Sequence, residues 1–229
     1  MAAALVSLLL FARAPVEGKV KTRLVPPLTL SAALRLYRAF LEDAARIYRA
    51  PALWESVLEA EPDPSHPEFH RLFTPPWRHE AQTPGDLGAR LEGAFRRAFK
   101  RGARAAVAVG SDHPALPRVR IEESFRHLSN GKGATLIPAD DGGYCAVGLS
   151  AGASVSDVFR DIPWSTESTL RVTHERMREA GLSVAILSPS YDVDQPEDLA
   201  KLRADLSSRD AADPDYPAAT ARALAEVFS

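Results

Sequence analysis

The run Ala4 to Phe11 (ALVSLLLF) is apolar and of strand length, as expected for a strand covered on both faces. A loop over residues 12–28 follows, and then the period changes. From a Ser31 N-cap to Arg49, Ala33, Tyr37, Phe40, Ala44 and Ile47 share one helical face. Arg35, Arg38, Glu42, Arg46 and Arg49 share the other, with Glu42 spaced to pair with Arg46. Leu53 to Ala60 predicts a second strand, followed by a Pro- and His-rich loop through Pro76 and a short strand over His79 to Gln82. Asp86 to Arg101 is an amphipathic helix, with Leu87, Leu91, Ala94, Ala98 and Arg101 at helical spacing. Ala105 to Val109 predicts a buried strand, and Arg118 to Leu128 a helix ended by Asn130-Gly131. Ala134 to Pro138 and Tyr144 to Leu149 read as strands either side of a turn. A helix over Leu170 to Ala180 closed by Gly181, a strand over Val184 to Leu187 and a helix over Pro196 to Leu206 come next, and a last helix covers Pro217 to Phe228. This alternation implies an α/β fold, a mostly parallel sheet with helices on both faces. No repeat or linker interrupts it, so one domain over residues 1–229 is expected.

Composition narrows the function classes. A net charge of −2 gives no general field for nucleic acid or an anionic membrane, so any pull on phosphate must be local. Cys145 is the single cysteine, which excludes an intramolecular disulfide. The apolar run from Ala2 to Phe11 is too short to span a bilayer and lacks the basic flank of a signal peptide. The expected setting is the cytoplasm, with neither nucleic acid nor membrane as partner. The oligomeric state stays open.

Five segments concentrate chemistry. Arg13, Lys19, Lys21 and Arg23 stand within eleven residues directly after the first strand. Open α/β sheets bind ligands outside the carboxyl ends of their strands, and Arg forks with Lys point charges suit a polyphosphate. Gly18 would let the backbone approach it closely. A solvated basic loop is the competing reading. In Gly110-Ser111-Asp112-His113-Pro114, Asp112 ends a buried strand, where a carboxylate reaches Mg²⁺ bound between phosphates or caps the next turn. His113 reads as a surface histidine beside a proline, or as a residue that helps bind metal or phosphate. In Asp140-Asp141-Gly142-Gly143 the glycines make a tight turn, or bring the backbone against a ligand faced by Asp140 or Asp141. Asp192 and Asp194 alternate in an extended stretch and so share a face, as a second metal contact would need. Asp194 or Gln195 alternatively caps the helix that starts at Pro196. Thr166, in Pro163-Trp164-Ser165-Thr166, is a helix cap or a substrate contact. There is no Cys/His metal cluster and no GxSxG elbow.

The strings FARAPVEGKVKTRL, QTPGDLGARL, GSDHPAL, PADDGGYCAVGL, PWST and DVDQPEDL occur in that order. Together, over about residues 6–203, they resemble the bacterial GT-A-like transferases described as radical-SAM/selenodomain-associated transferase 1. The 2-phospho-lactate and molybdenum-cofactor guanylyltransferases are looser kin. The resemblance implies a nucleotide-diphospho-sugar transferase fold with the nucleotide over the first half of the sheet. It implies phosphates held by Arg13, Lys19, Lys21 and Arg23, a metal-binding acid at Asp112 and a second acid at Asp192 or Asp194. It also implies that Gln82, Gly85 and Asp86 border the nucleobase and acceptor. Asp141, Gly142, Gly143 and Thr166 are the expected acceptor contacts, and Mg²⁺ (or Mn²⁺) the expected cofactor. The molybdenum-cofactor enzymes carry a Gly-rich first loop, whereas this one is rich in Lys and Arg, which favours the phospho-lactate type. Metal-dependent glycosyltransferases show Asp-x-Asp where this chain has Ser111-Asp112-His113. The expected reaction is nucleotidyl transfer from an NTP to a small phosphorylated acceptor with release of pyrophosphate, carried by Lys21, Arg23 and Asp112. Glycosyl transfer from a nucleotide sugar is one alternative; a non-catalytic nucleotide-sensing or interaction protein is another.

Overall fold

Seven strands make one sheet in the computed structural model, which describes residues 5–129, 131 and 133–227. The expected strand start at Ala4, helix stop at Asn130 and helix end at Phe228 lie outside the described residues. The strands are β1 (Val6–Arg13), β2 (Glu55–Glu61), β3 (Arg78–Ala81), β4 (Ala105–Gly110), β5 (Gly133–Pro138), β6 (Tyr144–Ser150) and β7 (Ser183–Ile186). They stand in the order β3-β2-β1-β4-β6-β5-β7, and only β6 runs against its neighbours β4 and β5. The helices are α1 (Leu30–Ile47), α2 (Pro67–Leu72), α3 (Leu87–Lys100), α4 (Arg118–Leu128), α5 (Val155–Phe159), α6 (Thr169–Glu179), α7 (Pro196–Ser208) and α8 (Ala218–Val227). No helix among the described residues is long and apolar enough to cross a membrane.

Alternation along β1 divides the core. Leu8 and Leu10 point to one face and join Leu36, Tyr37 and Phe40 of α1 and Ile121 of α4. Leu9 points to the other and joins Leu91 and Phe95 of α3 and Val158 of α5. Each fully buried Leu contributes about 1.5–3 kcal/mol, so β1, covered on both faces, is fixed in register.

Several local expectations change. Thr29, not Ser31, caps α1: its Oγ1 accepts the Ala32 N–H at 3.1 Å. Arg46 does not pair with Glu42, because its guanidinium is taken by Asp43 and by the carbonyls of Pro214 and Tyr216. The Pro- and His-rich loop contains α2, and α5 precedes α6. Leu87 sits at the solvent-facing start of α3, 42% exposed, rather than in the core.

The chain leaves β1 towards β2 and β3 on one side and returns at β4 on the other. That reversal leaves a crevice at the carboxyl ends of β1 and β4, the usual place for a ligand in such sheets.

Candidate active site

A cleft of about 590 Å³ opens at this reversal. Arg13, Lys19, Lys21, Arg23 and Arg90 line it against Glu61, Asp112 and Asp194, so cations outnumber acids five to three. This is the local positive field that an anionic ligand needs on a chain that is acidic overall.

Lys21 organises one end of the cleft. It precedes a single 3₁₀ turn, Thr22–Leu24, and has φ 50° and ψ 34°, the left-handed region that non-glycine residues seldom adopt. Its side chain is 3% exposed and passes 5.9 Å from the Phe40 ring centre. Nζ ends 2.6 Å from Asp112 Oδ1 and 3.7 Å from Asp194 Oδ1. Arg23 Nη1 donates to Asp194 Oδ2 at 2.7 Å from a side chain that is 69% exposed. Burial works to raise the Asp112 carboxyl, but the Lys21 ammonium overrides it and holds the group below its usual range.

A buried hydroxyl ties the two strand ends together. Tyr37 Oη accepts the Arg13 N–H and donates to the Arg13 carbonyl, both at 3.0 Å, leaving Ser111 Oγ, also at 3.0 Å, to donate to it. Burial, helped by the charge of Asp112, pushes the Tyr37 hydroxyl up, so it stays protonated. The residue before Asp112 is thereby fixed against the end of β1.

The other end is built from β2, β3 and α3. Glu61 Oε2 receives Arg13 Nε and Nη2 at 3.2 Å each, and Arg90 Nη1 lies 2.8 Å away. Arg90 also donates to the Gly85 carbonyl at 3.0 Å and to Gln82 Oε1 at 3.2 Å. Gln82 Nε2 donates to the Glu59 carbonyl at 2.9 Å. Burial tends to raise the Glu61 carboxyl; the hydrogen bond from Arg90 and the charge of Arg13 bring it below its ordinary value.

Of the sequence-derived candidates, Arg13, Lys19, Lys21, Arg23, Gln82, Asp112 and Asp194 line the cleft. Gly18 does not; it serves the turn, with φ 73°. Gly85 takes part only through its carbonyl, and Asp86 caps α3, its Oδ1 accepting the Ala89 N–H at 2.9 Å. Of Asp192 and Asp194, only Asp194 lines the cleft. Burial raises the Asp192 carboxyl, opposed by the charge of neighbouring His113, while Asp194 turns to Lys21 and Arg23. His113 is half-buried rather than a surface residue: burial holds its pKa down, and its ring lies 3.1 Å from where a Gly110 Cβ would stand. Gln195, not Asp194, is the N-cap of α7, in a capping box with Asp198, whose Oδ2 accepts the N–H groups of Asp194 at 2.9 Å and Gln195 at 2.7 Å. The Asp194 carboxylate is therefore left for the cleft.

The expected acceptor residues sit beside the cleft, not on its wall. Asp141 Oδ1 accepts the Gly143 N–H at 2.8 Å, closing the β5–β6 turn. A Cβ on Gly142, with φ 84°, would stand 2.5 Å from the Glu167 backbone. Thr166 Oγ1 is engaged with the Pro163 carbonyl at 2.8 Å. Ser165, with φ 60°, is the residue of this segment that lines the cleft.

Sequence reasoning missed Glu61, Arg90, Tyr37, Ser111 and Ser165. One signal was available: Arg90 lies in the first turn of α3, where a cation opposes the helix dipole and so needs another partner.

Among the described residues, no three His, Cys, Asp or Glu side chains group as a metal site. Asp112 and Asp194 offer two carboxylates facing one ammonium. That donor set fits a hard divalent ion whose remaining positions go to phosphate oxygens and water.

The sequence pattern of the family described as "Uncharacterized protein conserved in bacteria (DUF2064)" matches residues 45–166. No curated protein matches the chain in sequence. Among solved structures, a protein from Desulfovibrio desulfuricans, provisionally described as a nucleotide-diphospho-sugar transferase, is 31% identical. The match covers 96% of this chain and 94% of that one, with a TM-score of 0.85. A cytidylyltransferase from Leptospira borgpetersenii is 10% identical over 99% of this chain and 93% of its own, with a TM-score of 0.58. The CMP:2-keto-3-deoxy-manno-octonic acid synthetase, in complex with CTP, is 10% identical over 89% and 99%, with a TM-score of 0.54. At such identities the last two share the fold.

Proposed function

The chain belongs to the bacterial family described as DUF2064, and from that premise and the chemistry of the cleft we propose that it is a nucleotidyltransferase. An acceptor oxygen, from a small phosphorylated molecule, attacks the α-phosphorus of a nucleoside triphosphate; the bond to the bridging oxygen breaks and pyrophosphate leaves. The observation that carries this reading is the set of five cations around two carboxylates that meet at Lys21. The radical-SAM/selenodomain-associated transferases named by the motifs fit the same proposal.

Lys19, Lys21 and Arg23 line the cleft beyond β1, where they bind the β- and γ-phosphates and stabilise the charge that gathers on the leaving pyrophosphate. Once the triphosphate is bound they stand beside the oxygens on which that charge gathers, so little further rearrangement is needed as it develops. Arg13, Glu61, Gln82 and Arg90 hold the nucleoside end, Glu61 keeping the two arginines in place. Asp112 and Asp194 would hold Mg²⁺ or Mn²⁺, which when bound neutralises phosphate charge. Ser165, Gly142 and Gly143 border the acceptor.

Glycosyl transfer from a nucleotide sugar is kept as a second reading, because the 31% identical relative carries that provisional description. A thermal-shift series separates them. At a hundred times Kd a bound ligand adds about 2.7 kcal/mol, or roughly 5–10 °C in a chain of this size. NTPs with Mg²⁺ should raise Tm by that order and nucleotide sugars by less. The reverse ranking would favour glycosyl transfer, and no rise with either class would overturn the donor reading.

A further inference from the structure

The place between the two carboxylates is filled by a side chain. Lys21 Nζ lies 2.6 Å from Asp112 and 3.7 Å from Asp194, and its side chain is 3% exposed. Arg23 also reaches Asp194, but from a side chain that is 69% exposed, where water and salt weaken the pair. The buried ammonium is thus the firmer occupant. A divalent ion placed against the same oxygens is opposed by the ammonium, because a doubly charged ion beside it is repelled and Mg²⁺ sheds its water reluctantly. A polyphosphate alters that balance: it offers Lys21 other anionic oxygens and brings more ligands for the metal.

We infer that Lys21 is an exchangeable occupant of the two-acid site, closing it to divalent ions until a nucleoside triphosphate draws the ammonium away. Nucleotide and metal then arrive together. This rests on the reading of Asp112 and Asp194 as a metal pair. The backbone is compatible with a part that changes partners: Lys21 stands on a loop with only a single 3₁₀ turn, outside the sheet and the long helices. Its backbone is left-handed, with φ 50°, and its side chain runs inward between the acids and Phe40.

The test is Mn²⁺ binding to the full chain without nucleotide, read from the electron paramagnetic resonance signal of free Mn²⁺. Wild type should bind Mn²⁺ at least tenfold more weakly than Lys21→Met. Adding Asp112→Asn to Lys21→Met should return binding to the weak level. Lys21→Gly, which suits the left-handed backbone, is measured in parallel so that the result does not depend on one variant folding. Equal affinity in wild type and both single variants would overturn the exchange. Weak binding by all of them would overturn it too, by removing the acids as a metal pair. Pyrophosphate release is a separate readout, so the transferase reading stands or falls independently.

Discussion

Glu59 lies on β2 with its side chain fully covered, Oε2 2.5 Å from Arg97 Nη2 and Oε1 without a hydrogen-bond partner. Burial outweighs Arg97 and pushes its carboxyl up to about 7 from an ordinary 4.5. A raised acid favours the folded state when protonated, so its contribution is full below pH 4.5 and is lost as pH rises through about 7. The shift corresponds to about 3 kcal/mol. Denaturant unfolding at pH 5 and pH 8 should show wild type losing stability on that order relative to Glu59→Gln, because the variant has no proton to lose there. Parallel profiles for the two proteins would contradict this assignment. Neither Glu59–Arg97 nor Glu61–Arg90 was legible in the sequence, since each joins β2 to α3 and neither makes a local pattern. The basic residues after β1 were legible because they are neighbours in the chain. Their acid partner Asp194 lies 171 residues from Arg23, and only the fold brings them together.

At the scale of elements, the long helices and the strands were readable, and the shortest helices were not. The faces of α1 and the buried run of β1 follow from residue spacing, because 18 and 8 residues repeat their pattern enough to show it. The six residues of α2 and five of α5 complete too few turns. The β5–β6 turn and the PWST segment were read separately, and the close approach between them was invisible. Gly142 permits it: its carbonyl accepts the Leu170 N–H at 2.9 Å, and a side chain would strike Glu167. Gly142→Ala should therefore cost about 1–3 kcal/mol through its positive φ and the clash. It should also lower turnover while leaving triphosphate affinity unchanged, since the wall proposed to bind phosphate is built from other loops. Calorimetry alongside kinetics checks this; equal turnover would remove the segment from the acceptor side.

For the whole molecule, the alternation of strands and helices was enough to give an α/β sheet, and the sheet has that form with β6 reversed. Its reversal of direction between β1 and β4 gathers loops from across the chain over one cleft, so that charges remote in sequence line the same space. The sheet by itself does not choose a reaction, because one scaffold supports several chemistries; the choice made here comes from the cations and the two acids. The most direct measurement is pyrophosphate release when each NTP is mixed with the small-molecule fraction of a bacterial extract as acceptor source. Wild type should release pyrophosphate from at least one NTP with divalent metal present. Asp112→Asn and Asp194→Asn, both still folded, should fall by at least a hundredfold. Absence of pyrophosphate from every NTP, together with release of a nucleoside diphosphate from a nucleotide sugar, would contradict the account.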